Sequence, residues 1–241
     1  MNAPKILVTR ELDELSEIFA KKVGLDVVVN PVIRIEFHVN TKALAEQIAD
    51  TNYDAIAFTS QNAVKAFSEI IFKEKIKVPQ VKFYAIGDST ARHLKLLDIE
   101  PFLPKNNDAV ALSELILKDK NIRTVLFPCA EHHLEDLPEW LKRQNVQVRE
   151  LICYSTILLK NKIEVNGMEG IVFMSPSAVK SFFSVNKVID AIPIFTIGRT
   201  TADEVRRWTT NSVVIANRPD VNSIFEKVME YFSNQKAALF Q

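Results

Sequence analysis

Glycine is scarce in this chain, with five in 241 residues. Cysteine is scarcer: Cys129 and Cys153 are too few for a disulfide framework and fit a reducing compartment. No apolar run approaches the roughly 20 residues that span a bilayer. Met1 to Lys5 leads straight into a strand-like Ile6-Leu-Val-Thr9, with no signal-peptide hydrophobic region. The expectation is a cytoplasmic protein with no membrane partner. Net charge is also missing, with 30 basic residues against 30 acidic. That argues against nucleic acid, which selects a basic surplus. It leaves room for an anionic small molecule, because helix N-termini bind anions through backbone N–H groups. The dinucleotide fingerprint, the P-loop and the nucleophile elbow are all absent. None of the four histidines lies at a repeated strand end, which argues against a Ser–His nucleophile. Cys129, Glu131, His132 and His133 are ligand types, but adjacent histidines seldom converge on one ion and no second cluster exists, so no metal site is expected.

What is present is a duplication. Asp54-Ala-Ile-Ala-Phe-Thr-Ser-Gln-Asn-Ala-Val-Lys-Ala-Phe67 returns as Glu169-Gly-Ile-Val-Phe-Met-Ser-Pro-Ser-Ala-Val-Lys-Ser-Phe182, identical at seven of fourteen positions. Phe83-Tyr-Ala-Ile-Gly-Asp-Ser-Thr-Ala91 returns as Ile194-Phe-Thr-Ile-Gly-Arg-Thr-Thr-Ala202. The offsets are 115 and 111 residues. A period this long marks a duplicated supersecondary unit.

Each first segment opens on a wholly apolar run, Ala55–Phe58 or Ile171–Met174, as suits a central parallel strand covered on both faces. Each run stops at a serine. Ser60 or Asn62, and Ser175 or Ser177, are available as N-caps, and Pro176 fits a first helical position. The intervals to the second segment fit strand–helix–strand crossovers. Thr200 with Asp203, and Thr201 with Glu204, have capping-box spacing.

The middle copy continues with a strand at Thr124–Phe127, a helix over 135–144 and a strand over 146–155. The last copy lacks this continuation and holds one final helix, from Val221 to Phe232. The missing pieces lie at the other end of the chain: strand Lys5–Thr9, amphipathic helix Glu11–Lys22 and strand Val27–Ile33. The predicted fold is therefore two similar open parallel-sheet α/β domains, one inserted in the other. One comprises 1–33 and 163–241; the other comprises 42–150. The crossings, 34–41 and 151–162, alternate apolar and polar residues and are expected to pair as a two-stranded ladder.

Open parallel sheets bind ligands beyond the carboxyl ends of their strands. Those loops carry Arg10, Ser60-Gln-Asn62, Gly87-Asp-Ser89-Thr90, Cys129, Ser175-Pro-Ser177 and Gly198-Arg-Thr200-Thr201. Gly87 and Gly198 recur at one point in both copies, which points to a tight turn or a close ligand approach. The simpler reading is that Gly, Ser and Thr are what strand-to-helix turns use. Tyr154 sits on the second crossing, where it is expected to border the inter-domain cleft; its simpler reading is a half-buried strand aromatic.

In these motifs the chain resembles the uroporphyrinogen-III synthase family. The similarity rests on Val8-Thr-Arg10, the Phe58-Thr-Ser-Gln-Asn-Ala-Val64 and Phe173-Met-Ser-Pro-Ser-Ala-Val179 pair, the twin Ile-Gly-x-[Ser/Thr]-Thr-Ala segments and Tyr154-Ser-Thr156. It runs the length of the chain in the right order. The family often has an Arg-Gly or Gly-Arg pair after the third central strand, where this chain has Phe127-Pro-Cys-Ala-Glu-His-His133. Its frequent glycine before the following strand is missing at Asp98-Ile-Glu100 and at Thr210-Asn-Ser212. The resemblance implies a monomeric enzyme that cyclises the polycarboxylate tetrapyrrole hydroxymethylbilane to uroporphyrinogen III. Ring D inverts through a spiro intermediate, water is lost, and neither cofactor nor metal takes part. It implies carboxylate binding by Arg10, Ser60, Asn62, Gly87, Ser89, Thr90, Ser175, Ser177, Gly198, Thr200 and Thr201, and makes Tyr154 the group that assists departure of the hydroxyl. The alternative is a two-lobed tetrapyrrole sensor without activity.

Overall fold

The structure, a computed structural model, describes residues 3–38, 40–50, 52–188 and 191–238. In chain order its elements are β1 (Lys5–Val8), α1 (Glu14–Val23), β2 (Asp26–Val29), β3 (Ile33–Phe37), α2 (Thr41–Ala49), β4 (Ala55–Phe58), α3 (Gln61–Glu74), β5 (Lys82–Ala85), α4 (Asp88–Lys95) and α5 (Ala109–Leu117). There follow β6 (Thr124–Ala130), α6 (Asp136–Arg143), β7 (Gln147–Leu158), β8 (Gly170–Phe173), α7 (Pro176–Phe183), β9 (Ile194–Thr196), α8 (Arg199–Arg206), β10 (Val213–Ile215) and α9 (Val221–Ala238). The chain separates into two compact units, Met1–Arg34 with Ile157–Gln241, and Ile35–Thr156. Among the described residues no helix is long and apolar enough to cross a membrane.

The first unit holds a parallel sheet in the order β10-β9-β8-β1-β2. Strands from both chain ends meet where Ile6 pairs with Gly170 and Val8 with Val172. Ile6 and Val8 pack against α1 and α9 through Ala20, Ile224, Phe225 and Val228. Leu7, on the other face, packs against α7 and α8 through Val179, Phe182 and Val205. A strand covered on both faces needs apolar residues at every position, and β8 is buried throughout.

The second unit repeats this plan in the order β3-β7-β6-β4-β5, parallel from β7 to β5. Ile56 and Phe58 face a core with α2 and α3. Ala55 and Ala57 face a second core with α5 and α6. The counterpart of β10 is reduced to a single bridge between Tyr84 and Phe102. At the other edge β3 lies beside β7. The bonds His38 N to Cys153 O (3.0 Å) and Leu159 N to Val32 O (2.9 Å) show that this pair runs antiparallel. The two crossing segments therefore form the predicted ladder.

Several boundaries differ from the sequence reading. The expected strand Val27–Ile33 is two strands, because Pro31 has no N–H to give a ladder and the chain turns there. Helix α1 starts at Glu14, not Glu11, because Asp13 caps it by accepting from Ser16 N at 2.8 Å. Helices α2 and α5 lie outside the sequence reading, although both have recognisable caps: Asn40 accepts from Ala43 N and Asp108 from Ala111 N.

Candidate functional site

In the second unit, Ser60 ends β4 and caps α3, its Oγ accepting from Asn62 N at 3.1 Å. Tyr154, on β7, is 7% exposed and belongs to the core beneath α3. Its phenol donates to Ser60 Oγ at 3.2 Å. Burial pushes the phenol pKa up, so the group stays protonated at neutral pH. At the end of β5, Gly87 caps α4 with φ 81°, a conformation that favours glycine. A Cβ there would meet nothing within 4 Å, so the demand is conformational, not steric. Ser89 donates to Gln61 Oε1 at 2.5 Å, tying the start of α4 to the start of α3. Thr90, in the same turn, is buried and faces inward.

In the first unit, Ser175 caps α7 by accepting from Ala178 N at 3.2 Å, and Pro176 occupies the first helical turn. Ser177 is half-buried beside it. Gly198 caps α8, but its φ of −173° is ordinary extended backbone. The tight-turn reason therefore holds for Gly87 and not for Gly198, where a Cβ would also meet nothing within 4 Å. The capping boxes expected at Thr200 and Thr201 do not form, because both threonines lie inside α8, past the cap. Asp203 instead pairs with Arg206, and Glu204 accepts from Trp208 Nε1 and Arg207. Thr200 is exposed, while Thr201 is buried. Arg10 lies just past β1 and donates from Nε to Glu11 O at 3.3 Å. Burial lowers its pKa, against the pull of Asp13 and Glu11.

The structure thus brings Tyr154, Ser60 and Asn62 together, and Ser89 with Gln61. Gln61 is a site neighbour that the sequence does not single out: it lies inside a predicted loop and carries no signal of its own. Ser155, next to Tyr154 on β7, donates from Oγ to Glu131 Oε2 (2.8 Å) and lies 3.1 Å from His38 Nε2. Cys129 and Cys153 are free and buried, and burial pushes each thiol up to about 12, which makes them poor nucleophiles. Among the described residues no three His, Cys, Asp or Glu side chains are grouped to hold a metal ion.

Two parallel α/β units, each with hydroxyl-bearing loops at helix starts beyond its strands, define a duplicated α/β protein of the small-molecule-binding kind. The family model described as HEM4, uroporphyrinogen-III synthase HemD, matches residues 13–226. The chain belongs to the uroporphyrinogen-III synthase family. It is 26% identical over 246 residues to the uroporphyrinogen-III synthase of Chlorobaculum parvum, covering 93% of this chain and 98% of that one. In fold it is similar to a mutant uroporphyrinogen III synthase from the extremely thermophilic bacterium Thermus thermophilus, with a TM-score of 0.65, 16% identity and coverage of 96% and 100%. The uroporphyrinogen-III synthetase of Helicobacter pylori 26695 gives 0.65, 16%, 95% and 99%. The protein is thus a cyclising enzyme of tetrapyrrole biosynthesis, converting hydroxymethylbilane to uroporphyrinogen III with loss of water.

Proposed function

We propose that the strand-end loops of each unit hold the substrate carboxylates, and that Tyr154 assists departure of the hydroxyl. The observation that carries this reading is the bond from the Tyr154 phenol to Ser60 Oγ, at the N-terminus of α3. It joins the residue singled out for chemistry to a loop singled out for binding. The starts of α3, α4, α7 and α8 present backbone N–H groups that suit carboxylates without net positive charge. Ser177, Thr200 and Arg10 add side-chain donors. Thr90 and Thr201, being buried, serve packing, and the exposed or half-exposed hydroxyls beside them do the binding. Unassisted closure of hydroxymethylbilane gives the uninverted isomer, so the task is to hold a flexible anion in one geometry. The balanced charge supports action without nucleic acid, and the free thiols support a reducing compartment such as the cytoplasm, where the protein is proposed to act as a monomer.

The test is to supply hydroxymethylbilane, oxidise the products and measure the ratio of type III to type I uroporphyrin. Type III predominates for the native chain. Thr200→Val raises KM several-fold with little change in kcat, as loss of a carboxylate donor should. Unchanged KM in Thr200→Val and in Ser177→Ala would remove these loops from the site.

A further inference from the structure

The ladder between β6 and β7 contains one irregularity. Cys129 pairs with Ile152, but Ala130 pairs with Tyr154, leaving Cys153 as an extra residue in β7. Side chains alternate between faces, so one extra residue reverses the face of everything after it. Leu151 and Cys153 face the core beneath α3. Without the bulge Tyr154 would face the opposite core, away from Ser60. With it, Cys153 and Tyr154 both face α3, and the Cys153 thiol bonds Cys129 O across the irregularity at 3.5 Å. Ser155 is sent to the other face, towards Glu131 and His38.

The result is a specific state of the Ser60 hydroxyl. Its oxygen has two acceptor positions. One takes the N–H of Asn62 and the other takes the Tyr154 phenol. Both lone pairs are then committed, and what Ser60 has left to offer is its own proton. Tyr154 is 7% exposed, whereas Ser60 is half-exposed at the strand end. The repeat supplies a contrast. Ser175 makes the same kind of cap, but β2, the counterpart of β7, reads Asp-Val-Val-Val and carries no tyrosine.

We propose that Ser60 is the catalytic residue that touches the departing substrate hydroxyl, donating a hydrogen bond to its oxygen, and that the assistance given by Tyr154 is indirect, as a positioning residue behind Ser60. Filling the second lone pair orients the serine proton outward and polarises it, since chained hydrogen bonds reinforce one another. This rests on the placement of the substrate at these loops proposed above.

The test compares kcat and KM for the native enzyme, Tyr154→Phe, Ser60→Gly, Ser60→Thr and the double variant Ser60→Gly with Tyr154→Phe. Thermal melting checks the fold of each. Ser60→Asn, which keeps a strong N-cap without the hydroxyl, replaces Ser60→Gly if that variant melts too low. Ser60→Gly lowers kcat about tenfold or more, with KM little changed. Tyr154→Phe lowers kcat less, and Ser60→Thr recovers most of the activity. The double variant is no slower than Ser60→Gly, because Tyr154 acts through Ser60. If Tyr154→Phe slows the Ser60→Gly enzyme as much as it slows the native one, the phenol meets the substrate itself and the inference fails while the site stands. If folded variants at both positions keep native kcat and KM, the site placement fails as well.

Discussion

The hydroxyl of Thr196 is fully buried at the end of β9 and has no hydrogen-bond partner, alone in this among the buried side-chain polar atoms of the described residues. In the other copy the same position is Ala85, so the fold does not require a polar group there. An unbonded buried hydroxyl costs about 1–3 kcal/mol. Thr196→Val, which keeps the shape and removes the polar atom, is expected to stabilise by about 1 kcal/mol and raise Tm by about 2–4 °C. Calorimetry decides this, and a lower Tm would mean that the hydroxyl is bonded in solution. Nothing in the local sequence marks Thr196, since its lack of a partner is a property of its neighbours. Ser60 and Ser175 are legible, because a serine between an apolar run and a helix is a cap by local chemistry. The second bond to Ser60 is not, because it comes from a residue 94 positions away.

Helix ends show both how far local chemistry reaches and where it stops. Helix α1 closes on Gly24 at φ 91°, the residue best suited to that conformation. Helix α3 closes on Lys75, which takes φ 52° with its N–H on Ile71 O. A side chain in this left-handed region costs roughly 1 kcal/mol. Lys75→Gly is expected to raise stability by about 0.5–1 kcal/mol in urea unfolding, with an unchanged m-value. No gain would show that the entropy lost by glycine offsets the relief. Asp98, where the family often has glycine, adopts the same region at φ 59°, so the missing glycine altered the residue and not the turn. Helices α2 and α5 are hard to see in the sequence although Asn40 and Asp108 cap them, because neither follows the duplicated pattern that marks helix starts elsewhere.

At the scale of the whole molecule, buried thiols and phenols set an alkaline limit. Burial pushes the thiols of Cys129 and Cys153 and the phenol of Tyr53 up to about 12, and raises the phenols of Tyr84 and Tyr154. A group whose folded pKa exceeds its unfolded value binds its proton more tightly when folded. Its contribution is complete below the unfolded pKa and is lost as pH rises through the folded one. Unfolding free energy should therefore be flat near neutrality and fall from about pH 9 upward, each group adding at most about 1.4 kcal/mol per pH unit. Urea titrations at about pH 8 and about pH 10 measure this, and equal stabilities at both would contradict the burial of these groups.

The duplication, the parallel α/β class and the split of one copy across the termini were determined by the sequence, because each rests on short-range pattern: apolar runs, helix starts and repeated words. The face that Tyr154 presents was decided by tertiary structure. A strand alternates with a period of two, so the single unpaired residue Cys153 reverses the outcome, and a bulge exists only in relation to the neighbouring strand. Residues 60 and 154 meet because β4, β6 and β7 lie side by side in that register, a pairing no local segment contains.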